Sequence, residues 1–212
     1  MESRLPITLF QGACEYGQLY LIFNIMTYQE AIKRLSDGNK RYIAGAPRQG
    51  VSAEFRASLL HGQRPYAVII GCSDSRVPVE LIFDAMPGEL FVIRTAGNVV
   101  GPLDMASIEF AIMSFKPPLV VVLGHQNCGA VYTALKGGEF SPSIQALLEE
   151  VLASASGVLS DGSHESHEDE NIRNTLSKIK ANPYISKDIA EKTVHIVAAK
   201  YSLETGLVSF FE

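Results

Sequence analysis

Five side chains in two short segments have the types and spacing to do metal chemistry. The first segment, "GCSDSRVPVE" from position 71, sets Cys72, Asp74 and Arg76 two residues apart. The second, "GHQNCGAV" from position 124, sets His125 and Cys128 three apart. Two thiolates and an imidazole are borderline-soft ligands suited to zinc. Three protein ligands rather than four leave a tetrahedral position open, as catalytic zinc sites do. Asp74 could be a fourth ligand, or it could be turned away and held by Arg76 in a charge-assisted, bidentate pair. Held that way, its carboxylate stays ionised and can accept a hydrogen bond from an activated hydroxide. The His-x-x-Cys pair alone is a weak signal, and a lone buried cysteine is usually a small hydrophobe. The weight lies in all three ligands together with the acid–base pair. His164 and His167 also have a metal-like spacing, but they sit among glutamates and serines and read as part of a solvated loop. His61 and His195 read as a surface and a strand histidine.

For the two segments to meet, strands must deliver them to one point. "YAVIIG" (66–71) and "LVVVLG" (119–124) are continuous apolar runs, the pattern of parallel strands buried on both faces, and "LFVIR" (90–94) is another. Cys72 and His125 each follow such a run directly, and in open parallel sheets chemistry collects at the carboxyl ends of the strands. Helices alternate with these runs. "TYQEAIKRL" opens one, with Thr27 and Glu30 at capping-box spacing. Others are predicted over 52–61, over 104–115 (stopped by Pro117 and Pro118), from Cys128 to a glycine stop, and near 143–154, 170–181 and 184–192. "SASGVLSDGSHESHEDE" (154–170) reads as a solvated loop. "TVHIVAAKY" (193–201) is a last long strand that "LETG" turns into "LVSFF", a closing hairpin. The predicted fold is a single α/β domain with a mostly parallel central sheet flanked by helices, an N-terminal helical arm and a C-terminal antiparallel hairpin strand.

Composition narrows the partners. With 212 residues, 47% hydrophobic and 19% charged, the chain supports one sizeable domain or at most two small ones. A net charge of -5 argues against nucleic acid or anionic membrane as a partner. No apolar run approaches the roughly 20 residues needed to span a bilayer. Cys14, Cys72 and Cys128 are odd in number and widely spaced, a poor disulfide framework that suits a reducing cytoplasm. Residues 1–26 hold two short apolar patches with Gly12 and Gly17 between them, and no basic stretch precedes one continuous apolar core. They read as an arm or leader outside a domain of residues 27–212. The helix signal starts at Thr27, so residues 1–26 are expected to be dispensable to the chemistry, with Met26 a candidate start.

"CSDSRVPVE" and "HQNCGAV", with "PGELFVIRTAGN" between them, resemble a β-class carbonic anhydrase, and the resemblance runs from about Thr27 to "YSLETGLVSF". It implies one zinc per chain on Cys72, His125 and Cys128, with Asp74 and Arg76 forming the dyad over the open position. It implies reversible hydration of carbon dioxide to bicarbonate and a proton, in a homodimer or homotetramer. Gln63 falls where the family places a glutamine that reaches the neighbouring subunit's site. Phe91 and Phe110 fall where apolar or aromatic residues line the carbon dioxide pocket, with Gly129 beside Cys128. Ala96 stands where many relatives carry a larger aliphatic residue, which leaves the pocket width open. Part of the family holds bicarbonate in a side pocket of a tryptophan, an arginine and a tyrosine. Arg94 and Tyr201 match the last two, but Ile69 occupies the tryptophan position and the chain has no Trp. The resemblance therefore implies an enzyme without that shut-down state. Two other functions remain open: a related hydrolase of carbon disulfide or carbonyl sulfide, and a non-catalytic zinc module.

Overall fold

Five strands form one sheet in the order β2-β1-β3-β4-β5, with every neighbouring pair parallel except β4 and β5. The computed structural model describes residues 26–48, 50–153 and 164–211, with backbone only for 164–166. The readings made on residues 1–25, on Cys14 and on the side chain of His164 lie outside this set. The strands are β1 (Ala67–Cys72), β2 (Leu90–Thr95), β3 (Leu119–His125), β4 (His195–Tyr201) and β5 (Val208–Phe211). Every residue of β1 and β3 is buried, because helices cover both faces of the sheet centre. The two continuous apolar runs required this arrangement.

The pleat sorts β1 between two core layers. Ala67 and Ile69 pack with Ala31 and Leu35 of α1 (Tyr28–Ile43) and with Val79 and Ile82 of α3 (Val79–Ile82). Val68 and Ile70 face the other way, onto three helices. These are α4 (Pro102–Phe115), α7 (His164–Lys180) and α8 (Pro183–Ala190). The remaining helices are α2 (Ala53–Ser58), α5 (Gly129–Lys136) and α6 (Pro142–Leu152). Helix α2 buries no residue, whereas α1 lays its apolar stripe on the sheet. The Thr27–Glu30 capping box is formed: the Thr27 hydroxyl accepts from the Glu30 N–H, and the Glu30 carboxylate accepts from the Thr27 N–H.

Two features of this frame matter for the site. The chain runs from β1 to β2 on one side and returns to β3 on the other, so the strand order reverses between β1 and β3. Such a switch point opens a crevice at the carboxyl ends of those two strands, where Cys72 and His125 are the last residues of β1 and β3. The second feature departs from the sequence reading. Helix α7 covers His164–Lys180, so residues 164–170 are helical rather than loop, while the rest of that loop reading, 154–163, lies outside the described residues. Among its described side chains, the buried stripe opens with the polar residues Glu168 and Asn171 and turns apolar only at Ile172. Apolar periodicity therefore could not show where the helix starts.

Candidate metal centre

Cys72, His125 and Cys128 converge at the switch point, with their ligand atoms all within 4.8 Å of one another and each residue buried. Among the described residues no other group of histidine, cysteine and acidic side chains is so placed. The local backbone explains the convergence. Asn127, between His125 and Cys128, has φ 55°, the left-handed conformation that asparagine tolerates better than most residues. That turn reverses the chain after β3 and presents Cys128 as the residue capping α5. Gly97 (φ 75°) makes the corresponding turn after β2 and brings its N–H to 3.3 Å from Cys72 Sγ. The Asp74 N–H also faces that sulfur, at 3.4 Å.

The histidine is oriented for a metal. His125 Nδ1 lies 2.9 Å from the carbonyl oxygen of Gln126, which can only accept, so Nδ1 carries the proton. Its Nε2 is buried without a hydrogen-bond partner. A buried lone pair facing two thiols is costly unless an acceptor of electron density occupies the space between them. The donor set fits zinc, and the carbonyl behind the imidazole is the usual second-shell arrangement for a metal-binding histidine. One of the two sulfurs is primed to lose its proton. A hydrogen bond from Cys128, with others from the backbone amides of Asp74 and Gly97, holds the Cys72 thiol down at about 4. Its thiolate partner pushes Cys128 upward, so without a cation only one of the pair ionises readily.

Asp74 is turned onto Arg76. Oδ2 accepts from Arg76 Nη2 at 2.7 Å, and Oδ1 accepts from Arg76 Nε at 3.0 Å and from its backbone N–H at 2.9 Å. This fork, foremost among its causes, holds the Asp74 carboxyl down at about 2. Arg76 is itself anchored by the carbonyl of Asn127 at 3.1 Å. Asp74 Oδ2 lies 3.9 Å from His125 Nε2, over the space the ligands enclose. Arg94 braces the loop from behind, donating to the carbonyls of Cys72 and Asp74 at 2.9 and 2.7 Å. Tyr201 is buried, and its hydroxyl meets that of Tyr42 at 3.1 Å.

Ala96, one residue before Gly97, and Gly129, one after Cys128, lie beside the centre. Gln63, Phe91 and Phe110 do not. Phe91 pairs in register with Val68 while Cys72 pairs with Thr95, a separation of about 13 Å along the strands at the usual rise. Phe91, Phe110 and Phe115 form their own aromatic cluster, with ring centroids 5.8 to 6.4 Å apart. Gln63 packs beside Gly88 at the amino edge of the sheet, opposite the cysteine edge. Sequence reasoning also missed three contributors from α7. Glu168, Asn171 and Ile172 each touch a ligand-bearing segment, and only their helical spacing could have grouped them.

A doubly covered, mainly parallel sheet with a Cys-His-Cys centre at its switch point defines a metal-dependent α/β enzyme class. The family model for carbonic anhydrase matches residues 67–208, from β1 into β5. Carbonic anhydrase 2 of Mycobacterium tuberculosis is 39% identical over 187 residues, covering 83% of this chain and 89% of that protein. The carbonic anhydrase of Mycolicibacterium smegmatis is 40% identical over 190 residues, covering 84% and 90%. A chain from the crystal structures of two tetrameric β-carbonic anhydrases of Sordaria macrospora superposes with a TM-score of 0.67 at 25% identity, covering 87% of this chain and 95% of its own. The chain belongs to the β-carbonic anhydrase family.

Proposed function

We propose that this protein catalyses the reversible hydration of carbon dioxide to bicarbonate and a proton, with one zinc ion per chain held by Cys72, His125 and Cys128. The observation that carries the reading is the buried Cys-His-Cys convergence lying directly beneath an ionised, forked Asp74–Arg76 pair. Zinc at such a centre supplies a Lewis acid that acidifies a coordinated water, less strongly than in a three-histidine site because two thiolates cancel its charge.

The chain's own residues do the rest. Asp74, ionised and locked by Arg76, offers at Oδ2 an acceptor that cannot donate. That acceptor would hold the proton of a hydroxide placed beside the ligands and so turn an oxygen lone pair toward the substrate carbon. Arg76 keeps the carboxylate charged and in place, and Asn127 keeps Arg76 in place. Ala96 and Gly129 leave room beside the ligands for a linear triatomic gas. The apolar lining assigned to Phe91 and Phe110, and the polar group of Gln63, lie too far away in one chain, so we assign them to the centre of a second copy. Leu103, Phe110 and Met113 form one exposed stripe on α4, with Leu103 83% and Phe110 51% exposed, available for that contact. The working unit on this reading is a homodimer or a homotetramer. It acts in the cytoplasm on a small-molecule substrate, with neither nucleic acid nor membrane as partner. Among the described residues no helix is long and apolar enough to cross a membrane. Residues 1–26 stand outside the catalytic domain of residues 27–212.

Zinc content measured alongside stopped-flow hydration tests this reading. One zinc per chain with rapid hydration is the expected result. A zinc-loaded protein that leaves carbon dioxide untouched while hydrolysing carbon disulfide or carbonyl sulfide would overturn the substrate assignment. A zinc-loaded protein inert to all three would overturn catalysis altogether.

A further inference from the structure

Helix α7 reaches all three ligand-bearing segments from behind. The Glu168 carboxylate, 4% exposed, accepts the backbone N–H of Cys128 at 3.1 Å, and its other oxygen lies 3.0 Å from Lys200 Nζ. Asp169 lies 2.9 Å from the same ammonium. Nearly one turn later, buried Asn171 donates to the carbonyl of Gly97 at 2.7 Å, and the N–H of Gly97 is a donor to Cys72 Sγ. Ile172 packs against Gly124, immediately before His125: a Cβ on Gly124 would lie 2.4 Å from Ile172 Cδ1. Lys200 sits opposite Gly124 in the β3–β4 register, so Glu168 and Lys200 bury one another between α7 and the sheet.

A buried ion pair is a poor source of stability, because desolvation offsets the attraction and an apolar pair of similar volume packs as well. The carboxylate adds something an apolar side chain cannot, an acceptor for the N–H of Cys128. That peptide opens α5, and its orientation decides where the Cys128 sulfur points. Lys200 fixes the carboxylate that fixes the peptide.

We propose that Glu168, braced by Lys200, is a positioning residue for the metal centre. It holds the Cys128 peptide so that the thiolate meets Cys72 and His125 without rearrangement, and Asn171 secures the Gly97 turn beneath Cys72 in the same way. The inference rests on the zinc reading given above. Second-shell partners of this kind are worth about 10- to 100-fold in metal affinity.

The test measures zinc affinity by competition with a chromophoric chelator, and the visible absorption of the cobalt-substituted protein, for wild type, Glu168→Ala, Glu168→Gln and Ser177→Ala. Ser177 lies exposed on the same helix and controls for changes to the helix alone. Glu168→Ala is expected to bind zinc about 10- to 100-fold more weakly and to shift the cobalt bands, with far-UV circular dichroism unchanged. Glu168→Gln keeps one acceptor for two donors and should fall between Glu168→Ala and wild type. Should the alanine variant not fold, the glutamine variant decides alone, by weaker zinc binding than Ser177→Ala. Affinity and cobalt bands matching wild type in the folded Glu168 variants would overturn the proposal. Wild-type protein that binds no zinc would refute the metal reading itself, and this inference with it.

Discussion

Cys72 and Asp74 sit two residues apart and should fail in different ways. Cys72→Ser is expected to lose zinc and activity together, since a serine hydroxyl is a poor zinc ligand near neutral pH. Asp74→Asn keeps the three ligands and should retain the metal while turnover falls on the order of 10²-fold or more, the usual cost of losing one oriented electrostatic partner. Metal analysis and stopped-flow rates on the two purified variants separate the roles. An Asp74→Asn enzyme as fast as wild type would contradict the dyad. A second prediction concerns bicarbonate. Arg94 is committed to two loop carbonyls and Tyr201 to Tyr42, while Ile69 is fully buried in the apolar layer where an indole N–H would otherwise be offered. A buried anion there would keep too few donors. Inhibition by bicarbonate should therefore be non-cooperative, and a sigmoidal inhibition curve would refute this.

Helix α1 is seated by contacts that make two predictions at the level of elements. Gly38 lies against α3 so closely that a Cβ there would come within 1.8 Å of the Phe83 carbonyl oxygen. Alanine at a helix interior normally gains about 1 kcal/mol over glycine. Here the obstacle is backbone and cannot rotate away, so Gly38→Ala should destabilise by about 2 kcal/mol or more, read from urea unfolding midpoints. The next residue, Asn39, ties the same helix to the β4–β5 turn, donating to the carbonyls of Ile82 and Gly206 and accepting from the N–H of Val208. Nearby, Arg41 and Arg48 contact Asp84, while Arg34 and Arg48 contact Glu89. Burial opposes ionisation of both carboxylates, but the guanidiniums outweigh it and hold each below its ordinary value of 3.8 or 4.5. A depressed folded pKa contributes stability above the unfolded value that is lost as pH falls through the folded one. The stability difference between wild type and Asp84→Asn should thus be full above about pH 5 and shrink below pH 4. Zinc release in acid affects both proteins, so the difference isolates the pair. A gap unchanged from pH 7 to pH 3 would rule it out.

At the scale of the whole molecule, the position of Gln63 is what the proposed assembly rests on. It lies at the amino edge of a sheet whose carboxyl edge carries the candidate metal ligands, about 20 Å away along six residues of strand. Gln63→Ala should nevertheless lower kcat/KM, and sedimentation should show a dimer or larger. A fully active monomer would defeat both expectations. Much of this molecule was legible in its sequence. The two buried runs identified β1 and β3, and the residues just after them, Cys72, His125 and Cys128, are the ones the fold brings together as a candidate metal site, because a strand buried on both faces must be apolar and chemistry collects at its end. The start of α7 was not legible, since Glu168 and Asn171 look solvated until Lys200, Cys128 and Gly97 are placed against them. The residues expected to line the pocket could be named by type, but their places were not legible, since Phe91 and Phe110 belong to a cluster of their own and Gln63 to the opposite edge. The sequence alone determined which side chains can bind metal and which segments span the core, because both follow from residue type and local period. Which polar groups may be buried, and where Gln63, Phe91 and Phe110 stand relative to Cys72, only the tertiary structure decided, because those depend on partners far apart in sequence.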